Sequence, residues 1–465
     1  MQRARVSLRL LARLAIVALP LVVGAVLAAQ APPPAPAAPS ASPAPSAGAR
    51  PEVTLELRPG QAAQMHLAVP ALKVRGTLSP AGQKAAQMLD SALRADLDRT
   101  GMFVIQGPQE LAVVHPTGDQ AKDFEQYRSL GNEVLLLGEL YEEGGRLALE
   151  GRVFDLKSGQ SILGKRYRGG FDLARRMAHS FSDEVVLYFT GRRGIALTTI
   201  AFASDRNGNR TKEIYLMDYD GFNQRSVTAH KSISMSPAWS PTGDAIAYVS
   251  FFDGPPAIYM VDLQSGGKKP MVTGGSLNSS PAFSPDGKHV AFTRSVDGNP
   301  EIFVANRDGS GLKRLTFSPG IDADPAWSPT GADIAFTSSR AGSPNIYVMD
   351  AEGTNPHRVS FEGTYNDGAT WSPDGKMLAY ASRRRGHEFD IVVGNLAALD
   401  SRVLTTGPGS HESPSWSPDG RFIAYESSIG GRTQIRVMHA DGSDSRLLTA
   451  EGNNSAPDWS AYPVQ

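Results

Sequence analysis

A six-bladed all-β propeller preceded by a small α/β domain is the fold class this sequence predicts, on three observations. First, Pro237-Ala-Trp-Ser-Pro-Thr-Gly243 returns as Pro281–Gly287, Pro325–Gly331, Ala369–Gly375 and Pro414–Gly420, with a shortened copy at Pro457-Asp-Trp-Ser-Ala461. Its aromatic residue stands at 239, 283, 327, 371, 416 and 459, a spacing of 43 to 45 residues, which is the length of a four-stranded propeller blade. Second, three companions recur six times in step with it: an alternating strand such as Ile246-Ala-Tyr-Val-Ser250, a strand such as Ile258-Tyr-Met-Val-Asp262, and a short run ending in Thr or Ser. Third, the chain before residue 194 carries no copy of the repeat and interleaves helical and strand patterns instead.

In chain order, residues 1–30 have the pattern of an export signal. Arg3, Arg5, Arg9 and Arg13 form the basic end, Leu14 to Leu27 the apolar run, and Ala28, Ala29 and Ala31 the small residues after it. That run suits a cleaved signal peptide, roughly 7–15 residues, better than a membrane span of roughly 20; no span is expected after cleavage. Residues 31–50 are almost all Ala, Pro and Ser, a semi-rigid tether that cannot bury a core. Residues 51–193 form the α/β domain. Val53, Leu55 and Leu57 alternate as in a half-buried strand, and Leu67 to Ala71 is a second apolar run. Ser79-Pro80 opens a helix with Leu89, Leu93 and Leu97 on one face, and Gly101 closes it. Phe103–Ile105 is a strand and Asp123–Leu130 a helix. Val134–Leu140, Leu147–Phe154 and Ser161–Tyr167 are strands, the last two pairs divided at Gly144-Gly145 and Ser158-Gly159, and Leu173–Phe189 is the final helix.

Residues 194–465 form the propeller. In each Ser-Pro-Asp-Gly turn, Pro presets φ, Asp bonds locally and Gly accepts positive φ, while the preceding Trp or Phe is expected to supply buried area. The region opens on the second strand type at Ile200 and closes on the first type at Trp459. The closing strand is therefore expected innermost in the first blade, sealing the ring. Turns of an antiparallel blade alternate between faces, so the loops entering the Trp strands meet at one end of the axis. They carry Met235, Asn278, Asp322-Ala323-Asp324, Asp367, His411-Glu412 and Asn453. Loops on a rigid scaffold are a natural docking rim.

Composition narrows the function. Lys plus Arg total 46 and Asp plus Glu 47, which gives no footprint for nucleic acid. Cysteine is absent, removing disulfides, thiol catalysis and lipidation. There is no Gly-x-Ser-x-Gly elbow, zinc helix or P-loop, so neither a catalytic residue nor a cofactor is assigned. Asp205-x-Asn207-x-Asn209 lacks the glycine of a calcium loop, carrying Arg210 instead, and reads as a hairpin turn. Asp322, Asp324, Asp367 and Glu412 could jointly hold a cation such as calcium at the channel mouth. Metal-dependent polyuronate cleavage or cell-wall carbohydrate binding are the alternative readings.

Asp218-Tyr-Asp-Gly-Phe-Asn-Gln224, followed by Met235-Ser-Pro-Ala-Trp-Ser240, resembles the TolB family, periplasmic propeller proteins of the Tol-Pal envelope system. Leu67–Ala71, Asp96-Leu-Asp-Arg-Thr-Gly-Met-Phe103, Leu130–Val134 and Ser182-Asp-Glu-Val185 are similar to that family's N-terminal domain. The resemblance implies a non-enzymatic, monomeric hub that supports outer-membrane integrity and constriction during cell division. It implies a rim that binds the peptidoglycan-associated lipoprotein Pal, with Asn278, Ser279, Pro281, Ala323 and Asp324 at matching positions. It also implies an N-terminus that engages the inner-membrane protein TolA, although here a Pro/Ala tether precedes the first strand.

Overall fold

The structure, a computed structural model, describes residues 64–208 and 211–463. The expected signal peptide, the tether and the strand around Val53–Leu57 lie outside the described residues. Among the described residues no helix is long and apolar enough to cross a membrane.

The α/β domain is built on a six-stranded sheet. Strands β1 (Met65–Ala68), β2 (Lys73–Val74), β3 (Phe103–Gln106), β4 (Val134–Glu143), β5 (Arg146–Asp155) and β6 (Gln160–Gly169) form it in the order β3-β1-β4-β5-β6, with β2 on β4. β1 runs parallel to β3 and β4, and β4 to β6 form an antiparallel meander. Helix α1 (Pro80–Arg99) begins where Ser79 Oγ accepts the Gly82 amide at 3.1 Å, and it ends before Gly101 at φ 64°. Helix α2 (Gln120–Ser129) starts three residues earlier than its apolar pattern suggests, because Asp119 caps it. Helix α3 (Ala174–Thr190) ends at Gly191 in the left-handed region. Leu136 and Leu140 of β4 face α1 and α3, whereas Leu135 faces α2, as a strand period of two requires.

Six four-stranded antiparallel sheets follow. The inner strands are Ser234–Trp239, Leu277–Phe283, Asp322–Trp327, Asn366–Trp371, Ser410–Trp416 and Asn454–Trp459. They touch one another in sequence and the last returns to the first, which closes a ring of six blades. As expected, the closing strand pairs with Thr199–Ser204 of blade 1, from Asn454 opposite Ser204 to Trp459 opposite Ile200. An apolar cluster fills each of the six seams between blades.

One expectation is corrected here. The motif aromatics are not the deepest ones. Trp239, Phe283, Trp327 and Trp371 are half-buried, and only Trp416 and Trp459 are buried. The fully enclosed rings belong to the second strands, at Phe202, Tyr248, Phe292 and Phe336. An inner strand has the open axis on one side, whereas a second strand is covered by strands on both edges and by a blade on each face.

Candidate functional site

The six entering loops come together at one face, each through the same local device. An inner strand opens on a residue paired with the end of the second strand: Ser234 with Ser250, Asn278 with Arg294, Asp322 with Ser338, Asn366 with Ser382, His411 with Ser427 and Asn454 with Ser204. Two residues later φ turns positive, at Ser236, Ser280, Asp324, Gly368, Ser413 and Ala456 (49–62°). A proline follows in five of the six, and the register shifts there in every blade. This is a β-bulge, a device common at barrel rims and beside sites. A non-glycine residue in that region costs roughly 1–2 kcal/mol. Three of the bulge amides bond to the preceding blade, which offsets that cost at the two non-glycine positions: Asp324 to Thr293 Oγ1 at 3.0 Å, Gly368 to Thr337 Oγ1 at 3.2 Å and Ala456 to Glu426 Oε2 at 2.7 Å.

The bulge sorts the expected rim residues. Asn278 and Asp322, both at 0 % exposure, have no surface to offer a partner. Asn278 Nδ2 donates to the Pro256 and Gly274 carbonyls, while its Oδ1 accepts from Arg294. Asp322 accepts from Ser338 and from Arg340 at 2.9 Å, and burial, against those two partners, raises its pKa. His411 is likewise buried, with its pKa lowered by burial. Asn453 is half-buried but fully engaged. It bonds Asp205 of blade 1 through its amide and side chain, and it accepts from Thr433 of blade 6. Pro281 is buried and Asp367 accepts from Thr337 Oγ1 at 2.9 Å. Met235, Ser279, Ala323, Asp324 and Glu412 are half-buried at the face itself. Asp324 accepts from Ser280 Oγ, and Glu412 from Ser410 Oγ at 3.1 Å. Of the carboxylates expected to share a cation, Asp322 is thus committed to Arg340. Asp205 anchors Asn453, and its carbonyl accepts the Gly208 amide, so this segment is a hairpin turn.

The opposite face, with the Ser-Pro-Asp-Gly turns, is joined to the α/β domain. Asp96 of α1 is the hub. Its carboxylate accepts Tyr219 OH at 2.6 Å and Ser182 Oγ at 2.9 Å, and lies 2.7 Å from His179 Nδ1. Asp220 of blade 1 lies 2.5 Å from Arg175 and 3.2 Å from Arg99. Asp96, His179, Tyr219 and Asp220 are all buried. Burial alone would lower the His179 pKa; the hydrogen bond and charge of Asp96, with Asp220, prevail and raise it. Burial pushes Asp183 up to about 6 against two bonds from the Ala196 and Leu197 amides. A cavity of about 20 Å³, lined by Asp96, Arg99, Ser182, Asp183, Tyr219 and Arg421 among others, has room for roughly one water. Among the described residues Asp96, His179 and Asp220 are the one group whose ligand atoms all lie within 4.8 Å of one another. Arg99 and Arg175 ion-pair with Asp220 there, and the group forms an ionic clasp between the two domains.

Comparison with known proteins agrees with this architecture. Residues 187–463 match the TolB β-propeller domain, and residues 53–162 match the TolB amino-terminal domain. The chain belongs to the TolB family. A TolB homolog of Chlorobium chlorochromatii is 35% identical over 205 residues, 44% of this chain and 46% of its own length. The Tol-Pal system protein TolB of Geobacter metallireducens is 38% identical over 163 residues, 35% of this chain and 38% of its own. These matches therefore span less than half of each relative. The crystal structure of TolB from Acinetobacter baumannii superposes with a TM-score of 0.75 at 27% identity, covering 86% of this chain and 97% of that one.

Three of the segments that resemble the TolB family, Asp96–Phe103, Ser182–Val185 and Asp218–Gln224, meet in the clasp. The sequence pattern left their role unassigned, Arg99 and Asp183 included, and gave no sign of Arg175 and His179. One signal was available. Tyr219 stands where the other five blades carry Leu263, Arg307, Ala351, Leu396 and Ala440, and a departure from a repeat marks a job outside it.

Proposed function

We propose that this TolB-family chain is a non-enzymatic, periplasmic docking hub of a Tol-Pal system. Its rim binds a Pal-type peptidoglycan-associated lipoprotein, and its N-terminal region answers to a TolA-type inner-membrane protein. In that role it supports outer-membrane integrity and constriction during division. The observation that carries the reading is the division of faces. The clasp occupies the turn face of the ring, so the bulged loops with Ser279, Ala323 and Asp324 look away from the α/β domain. The relative from Geobacter metallireducens bears the Tol-Pal name, and the export pattern of residues 1–30 suits the compartment.

The test places bulk on the face without touching the buried first positions. Ser279→Arg and Ala323→Arg are each expected to weaken binding of the purified lipoprotein domain by roughly tenfold or more, the order of a lost interface contact. Thermal stability should stay within about 0.5 kcal/mol, since neither side chain fills a core. Unchanged affinity in both variants, measured by titration calorimetry, would refute docking at this face.

A further inference from the structure

Five of the six outer strands lead into a common lock, and the residue after it is free to vary. Each lock is a hydroxyl that accepts the amide of the third strand: Thr228 from Ile214, Thr316 from Ile302, Ser360 from Ile346, Thr405 from Ile391 and Thr449 from Ile435, all at 2.8–2.9 Å. With the hydroxyl held inward, the next residue points away from the blade. That residue is Ala229, Gly274, Thr406 or Ala450 in four repeats, but Phe317 and Phe361 in blades 3 and 4. Phe317 is 75 % exposed and Phe361 55 %. Rings so placed contribute little to folding, and a small residue suffices in the other four blades.

Both rings are held in place from beneath. The Arg314 guanidinium lies 4.6 Å from the Phe317 centroid, itself fixed by Glu301 at 2.7 Å and the Thr316 carbonyl at 2.7 Å. One blade on, Arg358 lies 5.4 Å from the Phe361 centroid, fixed by Asn345 at 2.8 Å and the Ser360 carbonyl. A cation beneath the ring restrains its rotamers, so less entropy remains to be lost on binding. Each ring also sits on the connection that becomes a rim loop: Phe317 precedes Asp322 by five residues and Phe361 precedes Asn366 by five. Exposed aromatics set against fixed guanidinium groups beside a docking rim have the character of interface hot spots.

We infer that Phe317 and Phe361 are paired anchors that enter apolar pockets on the protein docked at the rim. This rests on the proposed docking function and adds a specificity element to it. The partner is a folded domain broad enough to straddle blades 3 and 4, with aliphatic pockets there. The test compares the full mature chain with the double variant Phe317→Ala/Phe361→Ala, and with Leu312→Ala, an exposed apolar residue at the opposite end of blade 3. Calorimetric titration with the purified Pal-type domain is expected to show the double variant at least roughly 30-fold weaker, with Leu312→Ala unchanged and both variants as heat-stable as the parent. If the double variant binds within about twofold of the parent while Ala323→Arg abolishes binding, the anchors are wrong and rim docking stands. If the parent itself does not bind, the docking reading falls and the anchors with it. Sedimentation showing self-association of the parent that the double variant abolishes would assign the rings to a second copy of this chain and overturn the inference.

Discussion

His411 stands where three other blades carry asparagine. Asn278, Asn366 and Asn454 each donate twice across the exit of the preceding outer strand, for example Asn454 to Glu451 O and Gln434 Oε1, both at 2.9 Å. The imidazole does not reproduce this. It packs edge-on to Tyr425, and its Nδ1 has no partner within the protein. Burial lowers its pKa, opposed by Asp390 and Glu388 and reinforced by Arg436. A depressed folded pKa means that below pH ~6.5 the unfolded chain takes up a proton the folded chain refuses. Stability is therefore lost as pH falls from ~6.5 toward the depressed value. His411→Asn is expected to stabilise the protein by about 1 kcal/mol at pH 7 and by more at pH 5, flattening that limb of a plot of Tm against pH. An unchanged pH slope would refute the assignment. The same position shows why site residues were only partly legible. Polarity in a loop made Asn278 and Asp322 look like docking groups. The direction of a side chain depends on the bulge beside it, and a shift of one residue reverses faces, which no alternation count reveals.

Among elements, the repeat was legible because its turn chemistry is local. Ser284, Ser372 and Ser417 each donate to the turn aspartate at 2.6 Å, and the glycines sit at φ 70–73°. Depth was less legible, since it depends on what the neighbouring blade covers. Gly287 packs on Pro241, and Gly331 on Pro285 of the blade before, so the turns also join blades. The inner aromatics divide in the same way. Trp459 in the closing strand is 6 % exposed and donates to Thr198 at 2.8 Å, whereas Trp327 is half-buried and its indole nitrogen has no partner within the protein. Trp459→Ala is expected to cost about 3–5 kcal/mol, as for a large buried aromatic, and Trp327→Ala about half of that or less. Urea unfolding of the two variants checks this, and equal losses would mean that the repeat, rather than the seam, sets the cost.

At the scale of the whole molecule, the clasp decides whether two domains behave as one. Helix α1, helix α3 and the Asp218–Phe222 turn contribute charges of both signs, the buried Asp96 and Asp220 and the half-buried Arg99 and Arg175, with His179 and Tyr219 between them. Such an arrangement adds little over an apolar interface while intact, yet removing one member leaves its partners under-compensated. Asp220→Ala leaves Arg99 with only Asp96, at 3.8 Å, and Arg175 with only Asp218, at 3.9 Å, a loss of up to about 3 kcal/mol. Neither domain's core contains Asp220, so the damage falls on the junction. The parent is expected to unfold in a single calorimetric transition. Asp220→Ala should separate it into two, the α/β domain melting first and the ring, still closed through Asn454–Trp459, surviving it. The raised His179 pKa adds a dependence of its own. Its contribution is fully present below pH ~6.5 and is lost as pH rises through the folded value, so the junction is firmer in mild acid, the opposite of the trend at His411. Replacing His179 with Gln should remove the alkaline loss while leaving the acid limb set by His411 in place, and a variant that altered both limbs together would show that the two sites do not titrate independently.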